Sequence, residues 1–287
     1  MDISNLHIIK ASGERTLFSI EHVKNSLRKA GANEVVIDEI LLKLEGELYE
    51  GITTKQIYNR AFKLLKSKSS LFASKYKLKK AIYELGPTGF PFEKFIAAIL
   101  KNSGYKIEIG KLLQGQCVKH EIDIIAKKGK EVFFIECKFH GEQGRNCDVK
   151  IPLYVDSRFR DLRNYNKTKD LAHKHQFSQG WVVTNTRFTK DALAYGKCAN
   201  MHLLSWDLPK GNGLKDRIDT AGLYPITVSN LLTTREKQFL LSRDVVLCKE
   251  LLNDNFYLDH LGVSESRKKN ILQEMSMLCF NVNKNKP

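Results

Sequence analysis

His120-Glu121-Ile122-Asp123-Ile124-Ile125 and, further on, Ile135-Glu136-Cys137-Lys138-Phe139 set charged side chains at alternate positions inside apolar runs. Side chains alternate across a strand with a period of two. Glu121 and Asp123 are therefore expected on one face, with Ile122 and Ile124 on the other. Glu136 and Lys138 are likewise expected to project together, away from Ile135, Cys137 and Phe139. The intervening Lys127-Lys128-Gly129-Lys130 suits a hairpin loop that would bring the two strands side by side. Carboxylates inside apolar strands are costly unless something compensates them. A divalent cation is one compensator. The other is a structural ion pair, with Lys138 neutralising Glu136 and Asp123 lying at a solvated strand end.

Two acids and an amine in one patch suit phosphodiester hydrolysis. Magnesium prefers oxygen ligands and commonly binds through one or two carboxylates plus substrate phosphate, so Asp123 and Glu136 are the candidate ligands. Lys138 would orient a water or offset the charge of the transition state. Glu121 is a substitute or supporting acid. His120 and His140 flank the set and are read as bystanders.

Working outward, Pro91 to Asn102 has Phe92, Phe95, Ile96 and Ile99 at helical spacing and ends at Gly104. Strands are expected at Lys106 to Ile109, Val118 to Ala126, Glu131 to Phe139, Gly180 to Thr184 and His202 to Trp206. Residues 149 to 175 and Thr189 to Gly196 are expected to be helical, which gives an α/β unit with a mixed sheet. In the polar run from Asp148, Lys150 and Arg158 could reach phosphates and Tyr154 could stack on a base or pack a groove. Residues 207 to 230, rich in Gly, Pro, Asn and Asp, read as a linker, and the chain is expected to be helical from Thr234 onward.

This central arrangement resembles the PD-(D/E)XK nucleases, particularly the Mrr-like restriction endonucleases, over roughly residues 88 to 207. The matching residues are Asp123 and Glu136-Cys137-Lys138, the strand Trp181-Val182-Val183-Thr184-Asn185-Thr186, and the closing Leu203-Leu204-Ser205-Trp206. Many Mrr-like sequences carry Gln where this chain has Glu136. The resemblance implies a Mg²⁺- or Mn²⁺-dependent endodeoxyribonuclease acting on double-stranded DNA. It assigns catalysis to Asp123, Glu136 and Lys138, and to Glu93 on the preceding helix.

The first 86 residues resemble the ATP-cone, a regulatory module. The resemblance rests on Ile8-Ile9-Lys10-Ala11-Ser12-Gly13, Phe18 before His22-Val23, Gly51-Ile52-Thr53-Thr54, and Ala73-Ser74-Lys75-Tyr76-Lys77-Leu78-Lys79-Lys80. It implies a small hairpin plus a four-helix group that binds ATP or dATP, with Ile8, Lys10, His22 and Thr54 as contacts. The Lys77 to Lys80 cluster is expected to help neutralise the triphosphate. Lys10-Ala11 stands where the family has Lys-Arg, and His22 where it has a lysine. The helices are expected from Ile20 to about Ala30, Val35 to Tyr49, Thr53 or Thr54 to Leu65, and Lys75 to Leu85.

The expected organisation is thus a multidomain α/β protein: an ATP-cone at 1–86, a nuclease core at 87–213 and a helical domain at 214–287. In the last, Gly262, Ser264 and Arg267-Lys268-Lys269 faintly resemble a helix-hairpin-helix, though a packing or dimerisation role fits better. Over the whole chain of 287 residues the formal net charge is +15. That favours a nucleic-acid partner over the bland reading of a merely soluble basic protein. Six cysteines, none in a C-x-x-C pair, argue against zinc and suit reduced thiols in a cytoplasmic protein. No signal peptide or membrane helix is expected, whereas a homo-oligomer is. The alternatives kept open are a non-enzymatic, nucleotide-responsive DNA-binding protein and a structure-selective repair or junction nuclease.

Overall fold

The computed structural model describes residues 5–142, 144–168 and 176–280. The first strands, β1 (His7–Ile9) and β2 (Arg15–Leu17), pair antiparallel with Ile8 opposite Thr16. Helices α1 (Ile20–Lys29), α2 (Glu34–Glu45), α3 (Thr54–Lys68) and α4 (Ser70–Tyr76) close over this hairpin. Their core gathers Ile8, Phe18, Leu27, Ile40, Ile57 and Leu65. A capping box between Thr53 and Gln56 starts α3, and the Ile9 amide donates to Ile52 O at 3.1 Å, pinning the hairpin to that start.

The expected fourth helix is two. Helix α4 ends at Tyr76 and α5 (Leu78–Tyr83) begins after Lys77. Lys77 turns inward at this break. It is buried, and its ammonium donates to Ser229 O at 2.9 Å. Burial, and then the nearby Lys237, lower it to about 7.

The centre is a five-stranded mixed sheet in the order β3-β4-β5-β6-β7. These strands are β3 (Lys106–Gln114), β4 (Lys119–Lys128), β5 (Glu131–Lys138), β6 (Phe177–Thr184) and β7 (His202–Leu204). The first three run antiparallel, and β5-β6 and β6-β7 are parallel. Gly129 adopts φ +60 in the two-residue turn between Lys128 and Glu131, where a type II′ hairpin demands glycine. Helix α6 (Phe90–Asn102) covers one face with Phe92, Phe95, Ile96 and Ile99. Helices α7 (Lys150–Thr168) and α8 (Lys190–Cys198) cover the other, with Val155, Phe159, Leu162 and Ala192 in its core. Positions 169–175 of the expected long helix lie outside the described residues.

Residues 207–230 are not a linker. They contain α9 (Leu214–Ala221) and a 3-10 turn at Ile226–Val228. Leu214, Ile218, Leu223, Tyr224, Ile226 and Val228 are all buried in the core that α6 shares. Gly and Pro here mark tight turns between packed apolar residues. The helical region continues with α10 (Thr234–Ser242), α11 (Cys248–Asn253), α12 (Phe256–His260) and α13 (Glu265–Phe280). Arg267 and Lys268 in the first turn of α13 are engaged internally, with Glu236 at 2.6 Å and Asp259 at 2.5 Å. They are therefore not free to grip a phosphate backbone. Among the described residues no helix is long and apolar enough to cross a membrane.

Glu236 supplies a pH prediction. The Arg267 guanidinium, outweighing burial, and the Thr233 amide hold its carboxyl down at about 2 against an ordinary 4.5. The unfolded chain takes up this proton first, so the stabilisation is complete above the ordinary value and is lost as pH falls toward about 2. Urea midpoints measured from about pH 6 down to about pH 3 should fall less in Glu236→Gln than in the parent. Parallel profiles would refute the assignment.

Candidate active site

The β4-β5 ladder runs from Lys128 opposite Glu131 to Ile124 opposite Ile135 and stops there. Asp123 sits at that stop. Its Oδ2 accepts from the Cys137 amide at 2.7 Å, taking the place of the next backbone acceptor. This side chain therefore ties β4 to β5 between Glu136 and Lys138.

The strict alternation expected around Asp123 does not hold. Ile122 lies with Ile125 in the core under α7, whereas Ile124 lies with Ala126 in the core under α6. The side-chain period is broken between Ile122 and Ile125, opposite Gly110 at φ +61 in β3. On β5 the alternation holds. Ile135 and Cys137 are in the core under α6, Phe139 packs against it, and Phe134 is on the opposite face.

Electrostatics place the acids in one neighbourhood. Burial raises the Asp123 carboxyl, opposed by the Cys137 amide and by the charges of Arg158 and Lys138. Burial, then the Asp123 charge, push Glu136 up to about 7 despite Arg158. Burial, then Asp123 and Glu121, push Glu93 up to about 7. Each of these acids makes ionisation of another harder, which a cation among them would relieve. Glu121 is exposed, and Asp123 is the more enclosed of the two.

The expected Lys138–Glu136 neutralisation is not the pair that forms. Glu136 Oε2 is held by Arg158 Nη1 at 2.5 Å, and the same guanidinium donates to Glu121 O. Arg158 is thus an internal clamp and not a phosphate contact. It shares the inward face of α7 with Val155, Phe159 and Leu162, and that spacing was visible in the sequence. Tyr154 stays exposed, with the Arg158 guanidinium 5.3 Å from its ring centre.

Sequence reasoning also gave no role to the Asn185 side chain. It accepts from the His140 amide at 2.9 Å and donates to His140 O at 2.8 Å, fixing the chain just beyond Lys138. His120 is tied to Asp161 at 2.8 Å and serves the 117–118 loop, whose amides Asp161 also accepts.

Among the described residues there is no group of three or more His, Cys, Asp or Glu side chains able to hold a metal ion. The local donor set is Asp123 and Glu136, each with one carboxylate oxygen engaged. Two carboxylates are fewer protein ligands than a closed structural site needs, whereas magnesium commonly binds through one or two carboxylates with water and substrate phosphate.

In the N-terminal region, Ile8, Lys10, His22 and Thr54 all line one cavity of about 340 Å³, with Phe18, Tyr58 and Tyr76 in its wall. Lys10 Nζ is held by both Glu14 oxygens at 3.1 Å. The Lys77 to Lys80 cluster disperses. Lys77 is buried against Ser229, Lys80 faces Glu84 at 4.0 Å, and Lys79 lies 5.8 Å from the centre of the Trp206 ring. The break at Lys77 sends these lysines to different surroundings.

The chain is similar to three known descriptions. The family described as AF1548-like, C-terminal, matches residues 224–279. A protein of Archaeoglobus fulgidus described as uncharacterised is 29% identical over 183 residues, which cover 62% of this chain and 97% of that protein. The crystal structure of AF1548, described as a protein of unknown function, is similar with a TM-score of 0.55 and 26% identity. That likeness covers 68% of this chain and 100% of the other.

Proposed function

We propose that this chain is a Mg²⁺-dependent DNA endonuclease of the PD-(D/E)XK, Mrr-like type, gated by ATP or dATP at an N-terminal ATP-cone. The observation that carries the reading is the Asp123 carboxylate fixed on the Cys137 amide, between Glu136 and Lys138 at the end of the hairpin ladder. Asp123 and Glu136 would hold the metal. When bound, it supplies Lewis-acid polarisation of the phosphate and makes water a better nucleophile.

The chain's own groups do the rest. Arg158 fixes one oxygen of Glu136 and so sets the direction of the other. Lys138, beside Asp123, orients the attacking water and offsets charge on the phosphate. Glu93, with its carboxyl at about 7, takes up or gives a proton near neutral pH. The positive balance of the chain draws DNA to it, so binding weakens as salt rises.

The testing experiment is a cleavage panel of plasmid, linear, modified, branched and single-stranded DNA, with and without ATP and dATP. Cleavage in Mg²⁺ that EDTA stops, and that either nucleotide alters, is expected. Salt-sensitive DNA binding with no cleavage across the panel would instead favour a non-enzymatic nucleotide-responsive binder. In that case the Arg158–Glu136 pair would be the whole of the charge compensation. Preference for branched substrates would indicate a repair or junction nuclease.

Gating requires that the nucleotide favour one of two arrangements or oligomeric states of the chain. Lys10→Ala is expected to weaken ATP binding roughly tenfold by calorimetry, the effect of about 1.4 kcal/mol. Unchanged affinity would remove the cavity of Ile8, Lys10, His22 and Thr54 as the nucleotide site.

A further inference from the structure

A second and larger cavity, of about 650 Å³, lies where the N-terminal helices meet the sheet domain. One wall comes from α1, α4 and α5, with Lys29, Lys75 and Lys79. The other comes from the segment after β6 and the segment after β7, with Arg187, Lys210 and Lys215. Tyr58, Tyr76 and Trp206 line it as aromatic surface. Two acids, Asp207 and Asp216, are also present, so cations outnumber acids six to two around this space.

Part of that charge is spent internally. Arg187 pairs with Asp207 at 2.7 Å, Lys215 pairs with Asp219, and Asp216 caps α9 by accepting from the Gly213 amide at 3.0 Å. Lys29, Lys75, Lys79 and Lys210 remain without an ion pair among the described residues. Lys79 is half-buried beside Trp206, and Lys75 is half-buried as well. Burial disfavours both ammonium groups; at Lys75 the charge of Asp219 opposes it and that of Lys215 adds to it, and at Lys79 that of Arg187 adds to it and that of Asp207 opposes it. Cations that outnumber the acids in a concavity create a potential that an anion relieves.

One further group is unsatisfied. The Tyr58 hydroxyl, on a residue that lines both this cavity and that of Lys10 and Thr54, is buried and makes no hydrogen bond among the described residues. A buried hydroxyl without a partner is uncommon, and a ligand oxygen would satisfy it.

We propose that this inter-domain cavity is a second ligand site, which takes a multiply phosphorylated small molecule. Its size lies in the range of small-molecule pockets, and its makeup of lysines around aromatic rings suits phosphates attached to a planar group. A duplex is the weaker fit, because the cations line a concavity between two walls and not a continuous ridge. The ligand would bridge the N-terminal helices to the segment after β6. That segment includes Asn185, which holds the chain beyond Lys138, and Thr186, whose carbonyl accepts from the Trp206 amide at 3.3 Å. Occupancy would therefore bear on the two domains together. The site does not depend on the ATP-cone reading of the smaller cavity.

The test is calorimetry on the full chain with inorganic tripolyphosphate as the probe, repeated with ATP and with a short DNA duplex. The parent should bind tripolyphosphate, and Lys10→Ala should keep a site for it whether or not the smaller cavity also takes the probe. The double substitution Lys79→Ser with Lys210→Ser should weaken it at least ~10-fold, the loss expected when two phosphate contacts are removed. Lys210→Ser alone, on an exposed turn residue, should weaken it roughly threefold and guards against misfolding of the double variant. Absence of tripolyphosphate binding to the parent overturns the site. So does affinity unchanged in both serine variants, or affinity lost only in Lys10→Ala. Loss of duplex binding in the double variant, with no tripolyphosphate binding to the parent, overturns it in favour of a DNA surface. Failure of Lys10→Ala to alter ATP binding counts against the ATP-cone reading alone.

Discussion

Asp123→Asn should reduce Mg²⁺-dependent DNA cleavage on the order of 1000-fold while leaving the fold and DNA binding intact, the size of effect seen when one preorganised charge-stabilising group is lost. The substitution separates two roles of one side chain. An asparagine oxygen can still accept from the Cys137 amide, so the tie between β4 and β5 persists. What disappears is the negative charge that would hold a cation beside Glu136. Asp123→Ala removes both and should also lower stability, by about 1–3 kcal/mol for an amide left without its acceptor. Lys138→Ala should reproduce the catalytic loss without the structural one, because none of the ion pairs among the described residues includes Lys138. The measurements are single-turnover cleavage rates, melting curves and DNA affinity on the same preparations. Cleavage at the parental rate by both Asp123→Asn and Lys138→Ala would end the nuclease proposal.

Glu274→Ala should be the most destabilising single change far from that site, by ~3 kcal/mol, because several buried donors lose a charged acceptor at once. Glu274 is 6% exposed on α13. It accepts from Ser74 Oγ at 3.0 Å, Ser229 Oγ at 2.5 Å and the Asn230 amide at 3.0 Å. Its charge also favours the ammonium of buried Lys77, which donates to Ser229 O. One carboxylate therefore fastens α4 to the segment before α10 and to α13. Truncation strands these donors and takes a negative charge from the vicinity of a buried amine. Thermal melting should fall by about 6–12 °C, at roughly 2–4 °C per kcal/mol for a chain of this size class. Ser74→Ala, which removes one partner and leaves the carboxylate its others, should cost only about 1 kcal/mol. If Glu274→Ala melts within about 1 °C of the parent, the network is not what joins these regions.

Much of the local architecture was legible because local architecture follows local pattern. Phe92, Phe95, Ile96 and Ile99 repeat at helical spacing and are buried as α6 requires. The alternation of Ile135, Glu136, Cys137 and Lys138 holds in β5, and the turn at Gly129 forms where only a short loop could join the strands. Residues 207–230 misled because Gly and Pro suit a packed series of turns as well as a free linker. The core membership of Leu214, Ile218 and Tyr224 depends on surfaces supplied by distant segments.

The amino-acid order alone determined that Asp123, Glu136 and Lys138 lie on adjacent strands, because two apolar runs joined by one tight turn must pair as a hairpin. Tertiary structure decided their partners: Arg158 for Glu136, the Cys137 amide for Asp123, Ser229 for Lys77 and Ser74 for Glu274. Periodicity says which face a residue occupies. A hydrogen bond or ion pair also requires that another segment arrive at that face, and for Ser74 and Glu274 that segment lies 200 residues away.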